Sequence, residues 1–158
     1  MLFPFTIRYS GRFREKVKPD EVDRVLSYIK RFVADKTGEE VEIAGNQLIF
    51  RTSLFALRWS TNILAPIEKG VFNIVTLNEK TILTYEFFMY RLWIIATLMS
   101  ILIGYISKEL WWGLLFFAGS AGLNWIITLV RHKFMLDHLI REIENNIISK
   151  NAVVQNSN

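Results

Sequence analysis

LWIIATLMSILIGYI (residues 92–106) and LWWGLLFFAGSAGLNWIITLV (residues 110–130) are two apolar runs separated only by Ser107, Lys108 and Glu109. How they are read decides the fold. A helix rises about 1.5 Å per residue, so about 20 apolar residues match the roughly 30 Å hydrocarbon core of a bilayer. The second run has that length and no ionisable group. Trp111 and Trp112 stand at its start, where indoles favour the membrane–water boundary. The first run alone gives about 22 Å. Extending it back through Arg91 to Phe87 restores about 30 Å, and the Arg91 guanidinium then snorkels to the headgroups as an interfacial anchor. Neither run has the polar stripe of a soluble surface helix. Residues 85–130 are therefore read as a transmembrane helical hairpin, with helices at about 87–106 and 110–130.

Basic residues near the runs set an orientation. Lys80 and Arg91 precede the first, and Arg131, Lys133 and Arg141 follow the second, while the connecting loop has only Lys108 beside Glu109. The positive-inside rule puts both termini in the cytoplasm and the loop outside, in a plasma or bacterial inner membrane. The first residues, Met1 to Arg8, do not follow the pattern of a cleavable signal peptide. Hydrophobic residues make up 51% of the chain, the net charge is +4 and cysteine is absent, which excludes disulfides and thiolate metal sites.

Residues 1–84 read as a small α+β domain. Phe3, Phe5, Ile7 and Tyr9 alternate with polar or small neighbours, the period-2 mark of a half-buried strand. A helix begins at Pro19, with Asp20 and Glu21 beside the positive end of its dipole, and stops at Gly38. Its apolar stripe is Val22, Val25, Leu26, Ile29, Phe32 and Val33. Val41–Ala44 and Gln47–Arg51 flank Gly45-Asn46 as a hairpin, and Val71–Leu77 with Thr81–Phe87 form a second. Phe55, Leu57 and Trp59 alternate as an optional further strand. The order is β-α-β-β-(β)-β-β, a mostly antiparallel sheet with one covering helix.

Beyond Val130, Phe134, Leu136, Leu139, Ile140, Ile143, Ile147 and Ile148 recur at helical spacing, giving an amphipathic cytoplasmic helix over residues 131–150. It has three available courses: along the lipid surface, onward from the second span, or against the N-terminal domain. Residues 151–158 read as a disordered polar tail.

Chemistry-bearing patterns are few. His132 and His138 are six apart, about 600° of helical rotation, and lack the i, i+4 spacing of metal-binding helices. No nucleophile motif and no phosphate-cradling glycine loop is present, so no catalytic, cofactor or metal residue is assigned. Arg12, Arg14, Lys16 and Lys18 form a basic cluster suited to anionic lipid or to plain solvation; it lacks the long basic face of a nucleic-acid binder. Ser100 with Gly104, and Ala118 with Gly122, fit the small-xxx-small pattern of close helix packing. Trp93 stands with Trp111 and Trp112 as an interface aromatic. Asn124, the strongly polar residue deep in the second run, is expected to hydrogen-bond the first helix. The expectation is a non-enzymatic integral membrane protein that acts through protein contacts, as an accessory or scaffold subunit or as an immunity-type protein. Its partners are membrane lipid and a protein or a second copy, with no small-molecule substrate. A homo-oligomeric channel or transporter subunit is the alternative.

Overall fold

The computed structural model of the chain describes residues 5–37, 41–52, 64, 67–77 and 80–148. Five strands, β1 (Thr6–Arg12), β2 (Val41–Ala44), β3 (Gln47–Arg51), β4 (Lys69–Leu77) and β5 (Lys80–Phe88), form one antiparallel sheet in the order β1-β5-β4-β3-β2. Helix α1 (Pro19–Thr37) follows β1, and α2 (Arg91–Ser107) follows β5. A single long helix then runs over residues 110–148. It comprises α3 (Leu110–Phe117), a π turn (Ala118–Leu123), α4 (Asn124–Ile143) and a π-helical end at Glu144–Ile148. The fold is α+β.

The local signals act as expected in the first half of the chain. Gly45 takes a positive φ of 59° in the β2–β3 turn, a conformation without steric cost for a residue lacking Cβ. Lys18 donates its N–H to the Glu21 carboxylate at 3.0 Å while the Glu21 N–H returns to the Lys18 carbonyl at 2.9 Å, closing the start of α1. Val25, Leu26, Ile29 and Val33 are buried on one stripe of that helix. The strand expected at Phe55, Leu57 and Trp59 and the tail at 151–158 lie outside the described residues.

The sheet's covered face is an aromatic ladder. Phe50 stacks near Phe72 (6.2 Å between centroids), Phe72 on Tyr85 (4.4 Å), and Tyr85 on Phe87 (5.2 Å). These four lie on β3, β4 and β5 in register, with Phe50 beside Gly70 and Phe72 beside Tyr85. Each fully buried Phe contributes about 1.5–3 kcal/mol relative to exposure. Two helices share the cover. Besides α1, the second half of the long helix lays Met135, Leu136, Leu139, Ile140 and Ile143 into the same core. The Ile140 side chain lies where a Cβ on Gly11 would stand, so the missing side chain on β1 is what lets α4 approach. Of the three courses open to the amphipathic segment, its described residues, 131–148, combine two: they continue the preceding helix, and α4 docks on the sheet.

Two sequence expectations need correction. Phe87 and Phe88 belong to β5, not to the first apolar helix, because they complete the pairing with Ile7 and Thr6. Helix α2 therefore starts at Arg91 and has 17 residues, about 25 Å. Among the described residues only the long helix reaches spanning length; in place of two equal spans there is one long apolar helix with a shorter apolar partner packed on it.

The π turn explains how one helix serves two neighbours. Gly113 packs on α2 and Ile143 on the sheet core, and they are 30 residues apart. At 100° per residue an unbroken α-helix would leave them about 120° out of phase, whereas the one extra residue of a π turn reduces this to about 20°. The turn falls at Ala-Gly-Ser-Ala-Gly-Leu, where two glycines weaken the regular helix.

Candidate functional site

Helices α2 and α3 form an antiparallel pair that extends away from the sheet. Its contact line is Ala96, Ser100 and Gly104 on α2, against Gly113, Phe117 and Ala121 on the long helix; Ala96, Gly104, Gly113 and Ala121 are buried. A Cβ on Gly113 would stand 2.5 Å from the Ser100 carbonyl oxygen and 3.4 Å from the Gly104 Cα. The backbones meet there, as small residues permit. Ser100 and Gly104 thus lie on the line expected of them. Ala118 and Gly122 do not: Ala118 is exposed, and nothing lies within 4 Å of a Cβ on Gly122. The facing residues are their neighbours at Gly113, Phe117 and Ala121, an i, i+4, i+8 series kept in phase by the π turn. Asn124 is exposed as well, so the expected hydrogen bond to α2 is not what its position provides.

The outer surface of this pair is mostly apolar, with Thr97 and Asn124 as polar exceptions. Ile94, Ile95, Leu98, Ile101, Leu102, Ile106, Leu110, Leu114, Leu123, Ile126 and Ile127 are all exposed, as are Trp111 and Trp112. Only 17% of the most apolar 18-residue stretch of the long helix is buried within the protein. A core helix of a soluble domain hides that surface, and soluble monomers rarely expose contiguous apolar patches above a few hundred Å².

Where the pair joins the sheet, a carboxylate that sequence reading passed over caps the helix. Glu68, 9% exposed, accepts the backbone N–H of Tyr90 at 3.1 Å and of Arg91 at 2.7 Å. The Arg91 Nε lies 4.0 Å from the same group. Negative charge at a helix N-terminus is favourable, and two orphan donors are satisfied at once. Burial raises the Glu68 pKa above its ordinary value, with the hydrogen bonds from Arg91 and Tyr90 opposing that shift. Trp93, beside Arg91, stands edge-on to Phe5 (6.2 Å) and near Phe117 (5.8 Å), so it joins sheet, α2 and α3. No sequence spacing announces Glu68, which lies 22 and 23 residues before the groups it caps.

His132 is buried, not interfacial. Its ring lies 4.5 Å from Phe87, and its Nδ1 is 3.4 Å from the Tyr85 hydroxyl. Burial pushes the Tyr85 pKa well above the ordinary tyrosine value. His138 is exposed and 3.4 Å from Glu142 one turn on. Among the described residues no group of three or more metal-ligating side chains occurs.

Arg12, Arg14, Lys16 and Lys18 are exposed at the opposite end of the sheet from α2. Arg12 pairs with Ile82, six residues along β5 from Phe88, about 20 Å away. Phe13 and Val17, both buried, pin this segment between the basic residues, and Arg14 donates its N–H to Glu144. Nearer the base of the apolar pair, α1 and α4 enclose a cleft of about 620 Å³, with Arg31, Phe32, Lys36, Arg131, Phe134 and Met135 among its walls. Comparison with family models, curated proteins and solved structures finds no match to this chain.

Proposed function

We propose that the chain is a non-enzymatic integral membrane protein: α2 and residues 110–130 of the long helix together cross the bilayer and hold the α+β domain at the cytoplasmic surface, and the domain acts through protein contacts as an accessory or scaffold subunit. The observation that carries this reading is the apolar surface of the pair, uncovered on all outward sides and ending sharply at Arg131. From Leu110 to Val130 the long helix has about 31 Å of rise without a charge. Helix α2 is about 5 Å short of the core thickness, a mismatch that local thinning accommodates at a fraction of a kcal/mol per Å. Because α2 is antiparallel to α3 and joined by two residues, it crosses wherever α3 does. Basic residues on the sheet side favour a cytoplasmic domain.

Single cysteines test the topology in intact cells. Ser107→Cys, in the loop between the helices, is expected to react with a membrane-impermeant maleimide. Ser10→Cys, exposed on β1, is expected to react only after lysis. Labelling of Ser10→Cys without lysis overturns the orientation. Particle size in nanodiscs tests the scaffold role, since a closed ring of subunits would transfer the reading to a channel.

A further inference from the structure

We propose that the cleft between α1 and α4 binds the phosphate headgroup of an anionic phospholipid. This rests on the membrane reading above and names the lipid class held at its boundary. Three observations meet here. The first is charge: Arg31, Lys36 and Arg131 line the cleft with Asp35 and Glu142. Glu142 already accepts the Tyr28 hydroxyl proton at 3.2 Å and lies 3.4 Å from His138. Three permanent or near-permanent cations against two carboxylates give the wall a net charge of +1, which leaves the cavity attractive to an anion.

The second observation is level. Arg131 is the first ionisable residue after the apolar stretch that begins at Leu110. Helix α1 starts at the far end of the sheet, where the Val17 N–H bonds the Thr81 hydroxyl at 3.1 Å. Its 19 residues extend about 28 Å, more than the roughly 20 Å of sheet beneath it, so Lys36 arrives near the membrane end. Tyr28 meets Glu142 farther from the membrane, which confirms that α1 and α4 run antiparallel along the cleft. The third is amphipathy. Phe134, 68% exposed, stands one turn from Arg131 on the cleft wall, with Phe32 and Met135 behind it. A phospholipid offers this combination, a phosphate next to an acyl chain. Guanidinium groups bind phosphate oxygens through paired N–H donors, and Lys supplies a point charge.

The full chain is reconstituted in nanodiscs of phosphatidylcholine with a minor fraction of phosphatidylglycerol, and bound lipid is read by native mass spectrometry after mild delipidation. Retained lipid is expected to be enriched in phosphatidylglycerol. Arg31→Gln with Arg131→Gln is expected to reduce that enrichment by more than tenfold, at about fivefold per cation removed near a surface. Lys133→Gln removes the same single charge as Arg131→Gln alone, but off the cleft wall, where Lys133 pairs with Asp137 at 3.0 Å, and is expected to leave the enrichment intact. Equal enrichment in the double variant, or equal loss in Lys133→Gln, overturns the cleft as the site. Alkaline carbonate extraction separates the two readings. A chain that stays in the membrane without lipid preference removes this proposal alone. A chain released by carbonate removes the membrane reading, and glycerol 3-phosphate titrated in solution then decides the cleft: protection from thermal unfolding, lost in the double variant, would reassign it to a soluble phosphate ester, and no protection would end the proposal.

Discussion

The long helix has two halves of unlike charge and opposite fate. Residues 135–143 turn Met135, Leu136, Leu139, Ile140 and Ile143 into the protein, whereas residues 110–127 turn most of theirs outward. Charge separates the halves: residues 110–130 hold no ionisable group, whereas Arg131, Lys133, Asp137, Arg141, Glu142 and Glu144 follow them. Charged residues interleave after Val130, so only one face is apolar and it has a sheet to cover. Before Val130 every face is apolar, and the thin line of small residues shared with α2 covers a fraction of it. Periodicity thus separates the apolar residues that the protein itself covers from those that it leaves exposed.

The largest test of that contrast is truncation on each half. Leu139→Ala, fully buried against the sheet, is expected to cost about 2–5 kcal/mol in reversible unfolding of the detergent-solubilised protein. Ile126→Ala, 53% exposed on the same helix, is expected to stay within about 0.5 kcal/mol. Similar losses at both positions would erase the distinction between the halves.

A smaller effect is expected within the helix pair. Gly113→Leu must displace the Ser100 carbonyl, at a cost of about 1–3 kcal/mol in thermal stability of the purified protein. Gly122→Leu meets open space and is expected to be tolerated. If Gly122→Leu proved the more damaging, the contact line would run where the simple small-xxx-small reading puts it. Asn124→Ala should change stability by under about 0.5 kcal/mol, because an exposed amide loses no protein partner; a loss above 1 kcal/mol would restore the interhelical hydrogen bond.

The smallest expected effect is a pH dependence at the junction of the halves with the sheet. The folded-state pKa of Glu68 is raised above its ordinary 4.5, so the folded chain holds more protons than the unfolded chain between those two values. Stability is therefore expected to decline as pH rises from about 4.5 through the folded pKa. Glu68→Gln should remove this component from a plot of Tm against pH. An unchanged slope in the variant would assign the dependence to other carboxylates.

Much of the sheet was legible because its signals are local. Pro19 and the acids after it start α1, Gly45-Asn46 turns a hairpin, and alternation marks β4 and β5 within a residue or two. The errors came where distant residues decide. Phe87 and Phe88 fit an apolar helix by composition, and only pairing with β1, some 80 residues earlier, keeps them extended. Ala118 and Gly122 fit the packing pattern at 3.6 residues per turn, but a π turn alters the phase in that very segment. The Glu68 cap and the α1–α4 cleft arise from side chains that share no sequence period, so one-dimensional patterns pass over them.

The junction has a mechanical consequence. A globular part hung on one helix can swivel about that helix's axis. Here two rigid links leave the sheet: β5 passes into α2 through Met89 and Tyr90 alone, and α4 returns along β1. The first link is fastened by Glu68 and by the Met89 N–H to the Phe5 carbonyl at 3.0 Å, the second by the Tyr9 hydroxyl on the Leu129 carbonyl at 3.0 Å. Two such links remove the rotational freedom that one would leave. The open face of the sheet, with its Arg8–Glu86 pair, is therefore presented at one tilt and one azimuth relative to the apolar helices.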